Sequence, residues 1–170
     1  MTEPLLDGVV QIGIVTNDAD RLMRAWSDRY GVGPWEVYDF DSSNMTETTV
    51  DDRPVEFGMR IALALLGTMQ LELIEPHDDR SIYAASLEKH GGADHFHHIL
   101  CSTADYDSSL ERARSLGVGH AQSGRMSNGA TFSYLSTEDE LGLMLEIARV
   151  PQPLTMPEPV AVYPRPDAVG

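Results

Sequence analysis

The stretch Asp94–Thr103, DHFHHILCST, reads as an apolar strand interrupted by polar residues, and it has a counterpart at Val9–Thr16, VVQIGIVT. Laid over one another, the two put Gln11 on His98, Ile12 on Ile99, Thr16 on Thr103 and Asp20 on Asp107. An offset shorter by one residue places Gly31-Val32-Gly33 on Gly117-Val118-Gly119. Each copy closes with a similar segment, Gln70–Ile74 (QLELI) and Met144–Ala148 (MLEIA), which pairs Glu72 with Glu146. An internal duplication takes precedence over other patterns because it defines the architectural unit. The polar residues that break the apolar strands, Gln11, Glu72, His98 and Glu146, fall at matching places in the two copies.

Val9–Val15 alternates at strand period, with Val10, Ile12 and Ile14 on one face and Gln11, Gly13 and Val15 on the other. Asn17 and Asp18 are helix caps, and Leu22, Trp26 and Tyr30 recur at spacing four before Gly31. Trp35–Phe40 follows as a strand. Residues 40–54 are polar and acidic, a loop able to cover a pocket. Val55–Leu66 and Met69–Ile74 form a hairpin about Gly67-Thr68, and Ser81–His90 is a short helix with Ile82 and Leu87 inward. The second copy repeats the order: strand Phe96–Ser102, helix Tyr106–Leu116 with Leu110, Ala113 and Leu116 buried, a strand near Ala121, and strands Ala130–Leu135 and Leu141–Ala148.

Each copy therefore reads strand, helix, three strands. Such a module cannot cover both faces of its sheet, so two must pair. The expected fold is α+β: two paired βαβββ modules forming an open, cleft-shaped barrel, helices outside. Residues 1–150 make the domain, with modules at about 8–76 and 94–150 and a helical linker at 77–93. Residues 151–170, holding six of the ten prolines, form a tail outside the barrel. On the alternation, Gln11, Glu72, His98 and Glu146 all point into the cleft, and His97 points to the other face.

The formal charge of −15 excludes a basic nucleic-acid surface. No apolar run approaches 18 residues and no secretory signal is visible, so neither a membrane span nor export is expected. Cys101 is the single cysteine, which rules out an intramolecular disulfide and fits a reducing cytoplasm. Exposed strand edges predict a homodimer.

One imidazole, two carboxylates and one amide oxygen make a ligand set for a divalent metal ion such as Zn, Ni, Co, Mn or Fe. These residues and the paired modules resemble the vicinal oxygen chelate superfamily, which includes glyoxalase I, methylmalonyl-CoA epimerase, extradiol dioxygenases and bleomycin-resistance proteins. The likeness runs from about Val9 to Val150. Its most specific part is Leu71–Leu100, LELIEPHDDRSIYAASLEKHGGADHFHHIL, similar to the epimerase branch in its Glu-Pro strand end, its Leu-x-Lys-x-Gly helix end and its His-His-Ile.

The resemblance puts the metal ligands at Gln11, Glu72, His98 and Glu146, with glutamine at 11 where epimerases and glyoxalases carry histidine. It implies an isomerase, epimerase or lyase that removes a proton next to a carbonyl of an acyl-CoA or other small substrate. Glu146 would be the base and Glu56 its partner. A two-histidine, one-carboxylate iron site for dioxygen lacks its second histidine here. The rival expectation is a non-catalytic small-molecule binding protein whose Trp35, Tyr38 and Phe40 stack on the ligand.

Overall fold

The alternation read at Val9–Val15 is kept in the computed structural model, which describes residues 4–164. In β1 (Gly8–Val15), Gln11, Gly13 and Val15 are buried, and Ile12 and Ile14 face outward, half-buried. The remaining elements follow as α1 (Ala19–Tyr30), β2 (Trp35–Phe40), β3 (Met45–Val50), β4 (Arg53–Pro54), β5 (Met59–Leu66) and β6 (Met69–Pro76). After α2 (Ile82–Lys89) come β7 (His95–Ser102), α3 (Tyr106–Ser115), β8 (His120–Met126), β9 (Thr131–Leu135), α4 (Glu138–Leu141), β10 (Met144–Arg149) and β11 (Ala161–Tyr163).

Among the described residues the strands form one sheet, ordered β11-β2-β5-β6-β1-β7-β10-β9-β8-β3-β4. Its centre is the antiparallel pair β1–β7, and each flank repeats the same pattern. β1 pairs in parallel with β6, as β7 does with β10. The two βαβββ modules are thus joined edge to edge, the α+β architecture expected. One core, holding Met23, Trp35, Val37, Ala62, Leu71 and Leu73, lies on the helix-covered face of the first module. A second, holding Tyr38, Phe57, Ile61, Ile74, Tyr83 and Tyr134, fills one end of the concave side. Trp35, Tyr38 and Phe40 are all core residues, at most 3 % exposed. They offer no stacking platform for a ligand, so the observation behind the binding-protein alternative is gone.

Several elements differ from the sequence reading. Residues 40–54 are not all loop: β3 and β4 form a hairpin about Asp51 and Asp52, both at positive φ (50° and 58°), as a tight hairpin turn requires. That hairpin crosses to the other module and pairs β3 with β8. The tail does not lie wholly outside the barrel. β11 adds antiparallel to β2, and Tyr163 packs on the first core; residues 165–170 lie outside the described part.

The helical stripes are also turned. α1 buries Ala19 and Met23, so Leu22 and Trp26 are only half-buried and Tyr30 is 71 % exposed. In α3 the buried face is Tyr106, Ser109 and Ala113, and Leu116 is exposed. Ile12, Ile14, Leu22, Trp26 and Phe96 consequently line an outer apolar groove of about 570 Å³.

Candidate metal centre

Three strands place the site in one row. Gly13 on β1 lies opposite Glu72 on β6 and also opposite His98 on β7. A Cβ on Gly13 would come within 1.8 Å of His98 Cε1 and 2.2 Å of its Nε2. The glycine is therefore the space in which the imidazole leans across β1 toward Glu72, a close approach that a strand glycine permits. Glu146 enters from β10 on the same concave face.

His97 was expected on the opposite face, and the structure corrects this. The register slips where Gly13 opposes His98 but Ile14 opposes Phe96, so His97 is the extra residue of a β-bulge. The bulge buries both histidines and turns Phe96 outward to 48 % exposure. His97 Nδ1 lies 3.1 Å from His98 Nδ1. When His98 turns an Nε2 lone pair toward a cation, its proton sits on Nδ1 and is donated to His97. His97 must then be neutral at Nδ1. Burial, and then the charge of His98, hold the His97 pKa well below the usual imidazole range, which favours that state.

Among the described residues, Glu72, His98 and Glu146 form a buried group whose ligating atoms lie within 4.8 Å of one another. His98 Nε2 is 3.1 Å from Glu146 Oε2 and 3.2 Å from Glu72 Oε2. These contacts are close but poorly directed: neither His98 Nε2 nor Glu146 Oε2 makes a well-formed hydrogen bond. Burying such groups without partners is costly. A divalent cation among them would satisfy the orphaned atoms and balance the carboxylate charge, so the donor set fits nitrogen/oxygen-preferring metals.

Gln11 lines the same cavity, but its amide Nε2 donates to Gln70 Oε1 at 2.8 Å. Glu56 is not part of the site. It is exposed and precedes β5, which starts at Met59, so no strand turns it inward. The additional carboxylate lining the cavity is Glu36 on β2, which accepts a hydrogen bond from Tyr38 Oη at 2.7 Å. Its alternation with Tyr38 and Phe40 was the available signal.

A second constellation is structural. Asp52, His120 and Ser133 stand in hydrogen-bond order, at 2.8 Å and 3.0 Å. Ser133 is 1 % exposed and its Oγ is also held by Tyr106 Oη at 2.6 Å, so no substrate carbonyl can reach it.

Burial works against a charged His98, yet the carboxylates of Glu146 and Glu72 outweigh it and push its pKa up to about 9. Burial also raises Glu72, against the opposing pull of His98. Both groups hold protons more tightly in the folded chain than in the unfolded one. The stability they contribute without metal is present in full below the unfolded pKa and is lost as pH rises through the folded one. His97, shifted the other way, acts only below about pH 6.5. The metal-free protein should therefore melt at progressively lower temperature from about pH 6.5 to about pH 9. A divalent ion should raise the melting temperature most at the alkaline end, where no proton need be displaced. Melting curves across that range check both, and a flat profile in the metal-free protein would contradict the ion-pair geometry.

A model of the Glyoxalase/Bleomycin resistance protein/Dioxygenase superfamily matches residues 10–134. Among solved structures, the methylmalonyl-CoA epimerase from Mycobacterium tuberculosis is similar with a TM-score of 0.63 and 22% identity, covering 89% of this chain and 94% of that one. A variant of the Streptomyces coelicolor methylmalonyl-CoA epimerase in complex with 2-nitronate-propionyl-CoA gives 0.66 and 23%, covering 89% and 99%. At these identities the likeness is one of fold. No curated protein matches the chain in sequence. Among the described residues no helix is long and apolar enough to cross a membrane.

Proposed function

The chain belongs to the Glyoxalase/Bleomycin resistance protein/Dioxygenase superfamily, and from that premise we propose that it is a metal-dependent epimerase, isomerase or lyase acting by proton transfer next to a carbonyl. The observation that carries this reading is the buried convergence of Glu72, His98 and Glu146, of which Glu72 and Glu146 line the cavity, with His98 Nε2 and Glu146 Oε2 lacking well-formed hydrogen bonds. Glu72, His98 and Glu146 would hold the ion, which would supply Lewis-acid polarisation of a substrate oxygen.

The chain's own residues do the rest. Glu146, which lines the cavity, takes the proton on the carbon beside the carbonyl and returns it. Glu36, contributed by the other module, is the second carboxylate available to the substrate. Ile61, Leu63, Leu100 and Phe132 wall the cavity and hold the carbon skeleton away from water. His97 keeps the His98 ring in one tautomer. Epimerases of the same fold bring acyl-CoA compounds into view as one substrate class, beside smaller carbonyl compounds.

The test is metal binding by the purified chain together with exchange of a substrate α-proton for deuterium. Gln11→His sharpens it. Imidazole is a better donor than an amide to a borderline ion, and the position lines the cavity. The variant should bind Zn²⁺ or Ni²⁺ about tenfold tighter by calorimetry. Unchanged affinity would place Gln11 outside the coordination sphere.

A homodimer is proposed through the outer groove rather than the strand edges, since the edge strands β4 and β11 are short. Ile12, Ile14, Trp26 and Phe96 line an outward-facing apolar groove that a second copy could cover. Sedimentation should show a dimer that Trp26→Glu dissociates; a wild-type monomer at high micromolar concentration would sink the idea. The free, buried Cys101 suits the cytoplasm proposed for the chain.

A further inference from the structure

The C-terminal segment crosses from the second module to the first beside the cavity. It leaves β10 next to the β8–β9 hairpin, where Pro151 Cγ would lie 3.9 Å from a Cβ built on Gly129. Asn128 Nδ2 then donates to Met156 Sδ at 3.7 Å. Val160 N donates to Val37 O at 2.8 Å, and β11 pairs Val162 with Glu36. Tyr163 Oη ties the end down by donating to Asp28 at 3.2 Å. Between these anchors, Leu154 and Met156 form one wall of the cavity that Glu72 and Glu146 open into. The segment lies beyond the residues matched by the superfamily model.

We propose that this strap, through Leu154 and Met156, fixes the substrate class: a compact carbonyl compound with an apolar body, free of a polyanionic carrier. The word substrate rests on the proton-transfer reading above; the size and charge limits do not.

Two observations carry it. The cavity measures about 200 Å³, less than the roughly 300–1,000 Å³ of pockets that hold drug-sized ligands. Its lining contains Glu36, Glu72 and Glu146 but no Lys or Arg, in a chain of net charge −15. Phosphate groups are recognised by charge-assisted donors, and none lines this space. The Streptomyces neighbour was solved with 2-nitronate-propionyl-CoA; the cavity here is lined on one side by the strap and carries no cation to attract such a carrier.

The test uses the full chain with ¹³C-methyl methionine and reads Met126 and Met156, which both line the cavity. The probes are 3-hydroxybutan-2-one, small and uncharged with vicinal oxygens, and propionyl-CoA. The small probe should shift both methyl signals and bind at least about 100-fold better than propionyl-CoA, within the range that pocket fit gives. In Leu154→Gly/Met156→Gly, read at Met126, that ratio should fall below about tenfold. Propionyl-CoA shifting the wild-type signals as readily as the small probe would overturn the proposal. So would a Met156 methyl with the narrow line of free chain, or failure of both probes to shift either signal. Deuterium exchange on the bound small probe is read separately: binding without exchange sinks the proton-transfer reading and leaves the strap intact.

Discussion

Alanine at position 13 is expected to remove metal binding while leaving the sheet recognisably folded. Its Cβ would lie 1.8 Å from His98 Cε1, 2.2 Å from Nε2 and 2.3 Å from Nδ1, far inside any tolerated contact. The imidazole cannot simply retreat. Tyr134 stands edge-on to it at 5.0 Å between centroids, and His97 is held to its Nδ1. Position 13 is ordinary strand backbone that pairs on both sides, so the substitution strains packing rather than the chain path. Overpacking of this kind costs about 1–3 kcal/mol or more. Displacing a ligand should weaken metal binding by well over the 10–100-fold typical of losing a residue that merely orients one. Calorimetric titration with Zn²⁺ alongside thermal melting checks both effects. Wild-type affinity in Gly13→Ala would show that His98 is not where the ion binds.

Glu146→Gln carries the second large effect. The amide keeps the shape of the side chain but removes a negative charge 3.1 Å from His98 Nε2 and the lone pair assigned to the α-proton. Exchange of the probe's α-proton for deuterium should fall by about 10²–10⁴-fold, the range for losing a positioned general base. The loss must persist at metal concentrations that restore full occupancy, which separates proton transfer from binding. Exchange within about threefold of wild type under those conditions would move the base elsewhere, with Glu36 the next carboxylate to replace.

Much of this architecture was legible because duplication and strand period reinforce one another. Gln11, Glu72, His98 and Glu146 each follow the period-two rule from a well-marked strand, and all four reach the concave face. The β-bulge at His97 was not legible, since one extra residue reverses the facing of its neighbours and nothing in HFHH marks which residue it is. Gly13 was legible in principle: a glycine inside an alternating strand signals close approach, but its partner lies on another strand. The misplacement of Glu56 came from a boundary. Val55–Gly58 reads as strand by hydropathy, whereas pairing begins at Met59, and the cavity carboxylate is Glu36. In α1 two apolar stripes lie side by side, and spacing alone could not tell the core-facing Ala19 and Met23 from the groove-facing Leu22 and Trp26. The path of the tail depends on the free edge of β2, information that no local pattern holds.

On the proposed function, Glu72, His98 and Glu146 together bind one divalent ion. X-ray absorption at the metal edge of protein loaded with Zn²⁺ and dialysed tests it most directly. The predicted spectrum shows a single imidazole and carboxylate oxygens at about 2.0–2.2 Å with no sulfur, and it disappears in His98→Ala. A protein that retains no ion, or one whose ion is bound by sulfur at about 2.3 Å, would show that these three residues do not form a metal site.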